Sequence, residues 1–355
     1  MRKLVIDRAA IKNNLTVIKD RAAGAAIYGV VTGDGQGVGA AALAQLLRDE
    51  GIGRFAVSEV SEAEALRQAG FVDEEILMLR ATTDREELER LVDLNVVCTV
   101  SSVDTGMALN ALAGNRSTVA EAHIQVDTGM GFGGFLVSEP EKLLLAYRSM
   151  PNVALSGVYT QLHAARPNDP QAKRQLEQFQ LALDAIHQAG FETGAVHAAG
   201  SFALLHGLAP ELDGVRAGSA ILGRCRRTRD DGLKTVGFGQ APLTEVRWLP
   251  KGHVLGVDRP VTLKKPTRVA VLPVGYQNGF GVTRPRETGL LAAIARWRKN
   301  NRRTVRLGSQ RSRVLGGLGA SELILDVTDL KCSVGDLATF EMDPLFARGF
   351  QVEFR

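Results

Sequence analysis

The side chains best suited to chemistry fall in six short clusters. These are Thr32 with the glycines after it, Asp127-Thr-Gly-Met-Gly131, Tyr159-Thr-Gln161, His197-Ala-Ala-Gly-Ser201, Val215-Arg216-Ala-Gly218 and Val274-Gly-Tyr276-Gln-Asn-Gly279. The first follows a short apolar run, 26–31, that reads as a buried strand. Gly33, Asp34, Gly35, Gly37 and Gly39 then force a sharp turn before an Ala- and Leu-rich helix over 40–49. A glycine loop between a strand and a helix can approach a phosphate closely. Tyrosines at 159 and 276 offer proton-carrying hydroxyls, and Arg216 offers a fixed positive charge. Each also has a plainer use. Arg216 serves either an ion pair or a ligand; Ser201 is either a helix N-cap or a phosphate contact; Tyr276 either reacts or packs an interface. Gly35-x-Gly37-x-x-Ala40 is a weak match to a dinucleotide fingerprint. His123, His187, His206 and His253 have no metal-ligand spacing, so no metal site is expected.

These clusters need a scaffold that gathers them. Strand-like runs at 26–31, 54–57, 76–79, 96–100, 119–126, 153–159, 193–197 and 213–216 alternate with helical segments at 40–49, 61–69, 84–94, 103–113, 139–149, 171–189 and 201–208. Within 171–189, Leu176, Phe179, Leu183 and Ile186 mark one buried face. Ser61 and Glu64 fit a capping-box start. Eight strands with helical crossovers point to an α/β fold, an N-terminal (β/α)8 barrel over 7–224. The strand ends, where a barrel places its site, are then Thr32, Ser58, Arg80, Ser101, 127–134, 159–163, 197–201 and 216–219. Beyond about residue 223, β-branched runs at 243–248, 253–256, 268–274, 305–307, 323–327 and 337–341 read as a smaller, mostly-β C-terminal domain over 225–355. It is joined by the N-terminal strand within 1–6 and interrupted by one helix at 287–299.

On these residues the chain resembles the alanine racemases, pyridoxal phosphate (PLP) enzymes of fold type III. Their first strand ends in Val-Val-Lys-Ala-Asn-Ala-Tyr-Gly-His-Gly; here Val30, Val31, Gly37 and Gly39 match. Thr32 stands at the position of the lysine that holds PLP as a Schiff base, and Gln36 at that of the loop tyrosine. Asp127 to Gly131 and Gly134 match a second family motif, in which the family arginine falls on Phe132 and the family lysine on Gln125. Tyr159-Thr-Gln161 resembles Tyr-Thr-His, with Gln161 replacing the histidine and His163 two residues on. Ser201 matches a phosphate-binding serine, Val215-Arg216-Ala-Gly218 a segment whose arginine faces the pyridine nitrogen, and Tyr276 the second catalytic base, which the family delivers across a dimer interface. Ala320-Ser321 replaces a Met-Asp pair, and Phe354 takes the place of a late tyrosine.

The resemblance spans nearly the whole chain and implies catalytic positions at Tyr276 and Thr32, with cofactor contacts at Tyr159, Ser201, Arg216, Gly218 and Gln36. Its departures concentrate on the PLP pocket. A threonine hydroxyl cannot form an imine with an aldehyde. The expectation is therefore a homologue that has lost PLP-dependent racemisation, with no Schiff-base linkage. The alternative is an amino-acid racemase that still uses PLP through relocated groups. Phe132 is expected to fill volume that PLP occupies elsewhere. The resemblance also implies a homodimer, and it allows a heterodimer with an intact racemase and a small anionic or amino-acid ligand.

Composition agrees with a globular chain, 45% hydrophobic and 23% charged. No apolar run is long enough to span a bilayer, no secretory signal is visible, and Cys98, Cys225 and Cys332 form no disulfide pattern. A cytoplasmic protein is expected. A net charge of +4 does not by itself call for nucleic acid, although ten Lys or Arg against Glu287 alone lie between residues 284 and 313.

Overall fold

In a computed structural model the structure describes residues 1–163, 169–208, 212–225, 231–256, 260–283 and 303–355. The expected helix at 287–299, and the basic residues from 284 to 302, lie outside the described residues. The chain forms two compact units, one of residues 9–235 and one of residues 1–8 with 236–355.

The first unit is a barrel of parallel strands. They are β2 (Ala26–Val30), β3 (Arg54–Val57), β4 (Glu75–Met78), β5 (Cys98–Val100), β6 (Ala120–Asp127), β7 (Val153–Tyr159), β8 (Ala195–Gly200) and β9 (Gly214–Ala217), numbered after β1 (Lys3–Ile6) of the other unit. The sheet runs β4-β3-β2-β9-β8-β7-β6-β5. Its edges meet where Met78 N donates to Val97 O at 2.9 Å and Val97 N donates to Ile76 O at 2.8 Å. The helical crossovers that a parallel sheet requires are α1 (Arg8–Ala22), α2 (Ala40–Asp49), α3 (Val60–Gln68), α4 (Arg85–Asp93), α5 (Val103–Asn115), α6 (Pro140–Ser149), α7 (Pro170–Gln188) and the short α8 (Ser201–Leu205).

Helix α7 buries Phe179, Leu183 and Ile186 as its periodicity requires, while Leu176 is half-buried. Each fully buried side chain of this size contributes about 1.5–3 kcal/mol. Helix α3 departs from the expected start. Ser61 lies inside the helix, and the residue that satisfies its amino end is Glu62, whose carboxylate accepts from Glu59 N at 3.1 Å and Ser58 N at 2.9 Å. The helix starts at Val60 because these two amides meet a carboxylate one turn ahead.

The barrel interior joins an apolar cluster of Ala56, Leu77 and Val97 to a polar group. Tyr28, Thr99, His123, Tyr159, His197 and Arg216 are all buried. His123 sits beside Gly157, where a Cβ would come within 2.6 Å of its Nε2, so only glycine leaves room for the ring.

In the second unit, β10 (Phe238–Pro242), β11 (Glu245–Leu249), β12 (Thr267–Leu272), β13 (Thr304–Leu307), β14 (Gln310–Leu315), β15 (Leu323–Asp326), β16 (Leu337–Glu341) and β17 (Gln351–Phe354) join β1 in one sheet ordered β11-β12-β15-β14-β13-β16-β10-β1-β17. All pairs are antiparallel except β1 with β17. No helix among the described residues is long and apolar enough to cross a membrane.

Candidate functional site

The carboxyl ends of the barrel strands bring Thr32, Tyr159, Gln161, Ser201, Arg216 and Gly218 to one mouth. Register does this: Arg216 pairs with Tyr28 on one side and Gly200 on the other, so Gly218, Ser201 and the residues after Val30 follow together.

Thr32 opens a turn in which Gly33, Asp34, Gly35, Gln36 and Gly37 all have positive φ, at 67°, 51°, 63°, 58° and 86°. This left-handed run explains the glycines, and Asp34 and Gln36 occupy it only because the turn is held from outside. Asp34 Oδ1 accepts from Ala40 N at 2.9 Å, and Asp34 N donates to Glu62 Oε1 at 3.1 Å. Within the turn, Gln36 Nε2 donates to Thr32 O at 3.2 Å and to Thr32 Oγ1 at 3.3 Å. Thr32 and Gln36 thus bind each other.

Arg216 is 4% exposed. Its Nη1 donates to His197 Nδ1 at 2.5 Å and His197 O at 3.2 Å; its Nη2 donates to Thr160 O at 2.6 Å, Gln161 Oε1 at 2.9 Å and Ala198 O at 3.4 Å. Of the two uses open to Arg216, the ion pair is absent among the described residues. A guanidinium can only donate, so His197 Nδ1 accepts and its Nε2 carries the proton. That proton points to His123 Nδ1, 3.0 Å away, which leaves the His123 proton on Nε2. His197 lies between the rings of Tyr28 and Tyr159, with centroids 5.0 and 5.1 Å away. Burial, then the nearby Arg216 charge, holds His123 down to about 4 and His197 well below the ordinary imidazole value. Burial likewise lowers Arg216 to about 10.

Tyr159 directs its hydroxyl inward, 3.0 Å from Thr99 Oγ1, and donates to Leu79 O at 3.2 Å; burial raises its pKa and so holds the phenol neutral. Ser201 is the first residue of α8, with Gly200 as the N-cap. Its Oγ instead accepts from Gly218 N at 2.9 Å and Ala220 N at 3.2 Å, which ties two strand ends together. His163 contributes its backbone N–H to Gln175 Oε1 at 2.8 Å. Gln175, buried on α7, also donates to Gln161 O at 3.1 Å and Thr128 Oγ1 at 3.3 Å.

Phe132 does not fill the mouth. It is 78% exposed on a loop with positive φ at Gly129, Gly131, Gly133 and Gly134. Asp127 sets that loop's course, its Oδ1 accepting from Gly129 N at 2.8 Å, Met130 N at 2.9 Å and Gly131 N at 3.2 Å. The loop therefore leads Phe132 outward. Tyr276 lies in the second unit, 50% exposed, at the head of a turn fixed by Tyr276 N to Gly319 O at 3.1 Å and Gln277 N to Ala320 O at 3.0 Å. The sequence singles out His197 but not its pairing with His123, nor the clamping Gln175. The only sign of the pair was an isolated histidine inside each of two apolar runs.

Two patterns match this architecture, one described as alanine racemase, N-terminal domain, over residues 6–225, and one as alanine racemase, C-terminal domain, over residues 239–343. The chain belongs to the alanine racemase family. An alanine racemase of Desulfosudis oleivorans is 30% identical over 290 residues, covering 78% of this chain and 74% of that one. That of Geobacter sp. strain M21 is 26% identical over 345 residues, covering 94% and 86%. Among solved structures, alanine racemase of Clostridium difficile 630 superposes with a TM-score of 0.86 at 21% identity, covering 100% of this chain and 95% of that one. The Bartonella henselae enzyme with covalently bound pyridoxal phosphate gives 0.84 at 21%, covering 100% and 99%. These likenesses fix the alanine racemase fold for both units.

Proposed function

We propose that this member of the alanine racemase family has lost PLP-dependent racemisation and serves as a ligand-binding or partner subunit. The observation that carries the reading is the Thr32–Gln36 pair. The position matching the family's lysine bears a hydroxyl, and that hydroxyl already accepts a side-chain hydrogen bond. An imine requires a free amine. The only lysines between Ile27 and Arg216 are Lys142, paired with Glu139 at 2.9 Å on α6, and Lys173, exposed on α7. Lys142 and Lys173 sit on helices, not on the barrel strands, Lys142 is paired with Glu139 and Lys173 is exposed, so the residues present do not fit PLP held as an imine. The same two lysines argue against a racemase with relocated groups.

Family membership further supports a two-fold homodimer, in which the half-exposed Tyr276 lies at a surface a second copy can cover. A mixed dimer with an intact racemase, to which this chain lends Tyr276, is the corresponding partner role. The deciding experiment is the visible spectrum of the purified protein with PLP, before and after borohydride. The expected result is free PLP that washes away after reduction; covalently fixed PLP defeats the reading. For assembly, sedimentation at micromolar concentration is expected to give a dimer, and a monomer removes that part.

A further inference from the structure

The Arg216 guanidinium is a buried positive charge with no negative partner among the described residues. All five of its contacts are neutral: an imidazole nitrogen, three backbone carbonyls and the Gln161 amide oxygen. The carboxylates at the strand ends are engaged elsewhere. Asp127 takes the backbone amides of its own loop, Glu62 those of Asp34, Ser58 and Glu59, and Glu87 and Glu59 pair with Arg80. The aromatic rings against Arg216 carry no formal charge. Buried charges in folded proteins are ordinarily paired, because the desolvation they suffer is offset only by an opposite charge close by.

One donor of this cation is also unspent. The four Nη hydrogens meet His197, Thr160, Gln161 and Ala198, whereas Nε–H donates to nothing among the described residues. Two hydroxyls share the mouth. Ser201 Oγ accepts from Gly218 N and Ala220 N, and Thr32 Oγ1 accepts from Gln36, so each keeps its own proton to donate.

We propose that the barrel mouth binds a small monocarboxylate, whose single negative charge completes Arg216. This rests on the reading that no imine-bound cofactor occupies the mouth. The charge selects the class, since one uncompensated cation with one N–H and two O–H donors suits one carboxylate. A phosphate dianion would need more donors, and the Gly218 and Ala220 amides are already taken by Ser201. Hydrogen bonds from an ionised donor to a carboxylate are about twice as strong as neutral ones, which makes Arg216 the dominant contact.

The test uses pyruvate as the probe, titrated calorimetrically into the full-length protein at low chloride, with acetate and inorganic phosphate as comparators. Pyruvate and acetate are expected to bind once per chain and raise the melting temperature, and phosphate to do neither. Gln161→Glu places a carboxylate where the amide oxygen now meets Arg216 Nη2. It is expected to raise the melting temperature without ligand and to weaken pyruvate binding at least tenfold. Arg216→Met, where circular dichroism finds it folded, is expected to abolish binding; where it does not fold, Gln161→Glu decides. The proposal is overturned if neither carboxylate binds, if folded Gln161→Glu binds pyruvate as tightly as the parent, or if phosphate binds as well as pyruvate. Borohydride fixation of PLP defeats only the reading on which the site rests, so the two failures are told apart.

Discussion

At the scale of single residues, the neutral His123–His197 pair makes stability depend on pH. His123 titrates at about 4 when folded, against about 6.5 unfolded, so the unfolded chain binds more protons between those values. The contribution is fully present above pH 6.5 and is lost as pH falls through 4. It amounts to about 3 kcal/mol for His123, and His197 adds in the same sense. Urea midpoints at pH 7 and pH 4.5 should therefore differ more for the parent than for His123→Asn. Equal differences would remove His123 from the account. None of this linkage is legible from spacing, because His123, His197 and Arg216 meet only through the register of three strands. Thr32 and Gln36, four residues apart, are singled out by the resemblance, but their mutual hydrogen bond depends on a left-handed turn that sequence does not announce.

At the scale of elements, the loop after β6 is held by one carboxylate. Removing it with Asp127→Ala leaves three backbone amides without their acceptor and should lower stability by about 1–3 kcal/mol, read as a shift in urea midpoint. Faster hydrogen exchange at Gly129, Met130 and Gly131 would accompany it, and unchanged exchange would show the clamp to be incidental. A second substitution tests the barrel interior. Gly157→Ala drives a Cβ against the His123 ring and should lower the melting temperature, with partial recovery in a Gly157→Ala, His123→Ala double variant. The eight barrel strands were readable to within a few residues, since apolar runs of the right length alternate with amphipathic helices. Phe132 points away from the mouth because the loop's course is set by glycine φ values and by Asp127, not by the aromatic residue itself. Strand β14 was missed for a related reason. Gln-Arg-Ser-Arg-Val-Leu has little strand character alone and becomes a strand by pairing with β13 and β15.

At the scale of the molecule, the sheet of the second unit is assembled from distant parts of the chain. Strand β1 lies between β10 and β17, with Lys3 opposite Gln240 on one side and Gln351 on the other. Arg8 N also donates to Arg355 O at 2.8 Å, and Lys3 Nζ meets Glu353 at 2.6 Å. Deleting residues 351–355 strips β1 of one neighbour and should lower the melting temperature of this unit while leaving the barrel's far-ultraviolet helical signal in place. Loss of both together would mean that the two units unfold as one. The expected strand at the amino terminus was readable from Lys-Leu-Val-Ile, but its partners were not, because more than 200 residues intervene.

That same arrangement bears on how the chain is made. The first strand leaves the ribosome with no completed sheet to enter, since its parallel neighbour is translated more than 300 residues later. The barrel can close as soon as β9 emerges, whereas the second unit must wait until β17 has followed it. Until then Leu4, Val5 and Ile6 are an apolar tail in search of a partner, and nascent chains stalled short of residue 351 are the ones a chaperone would have to shield.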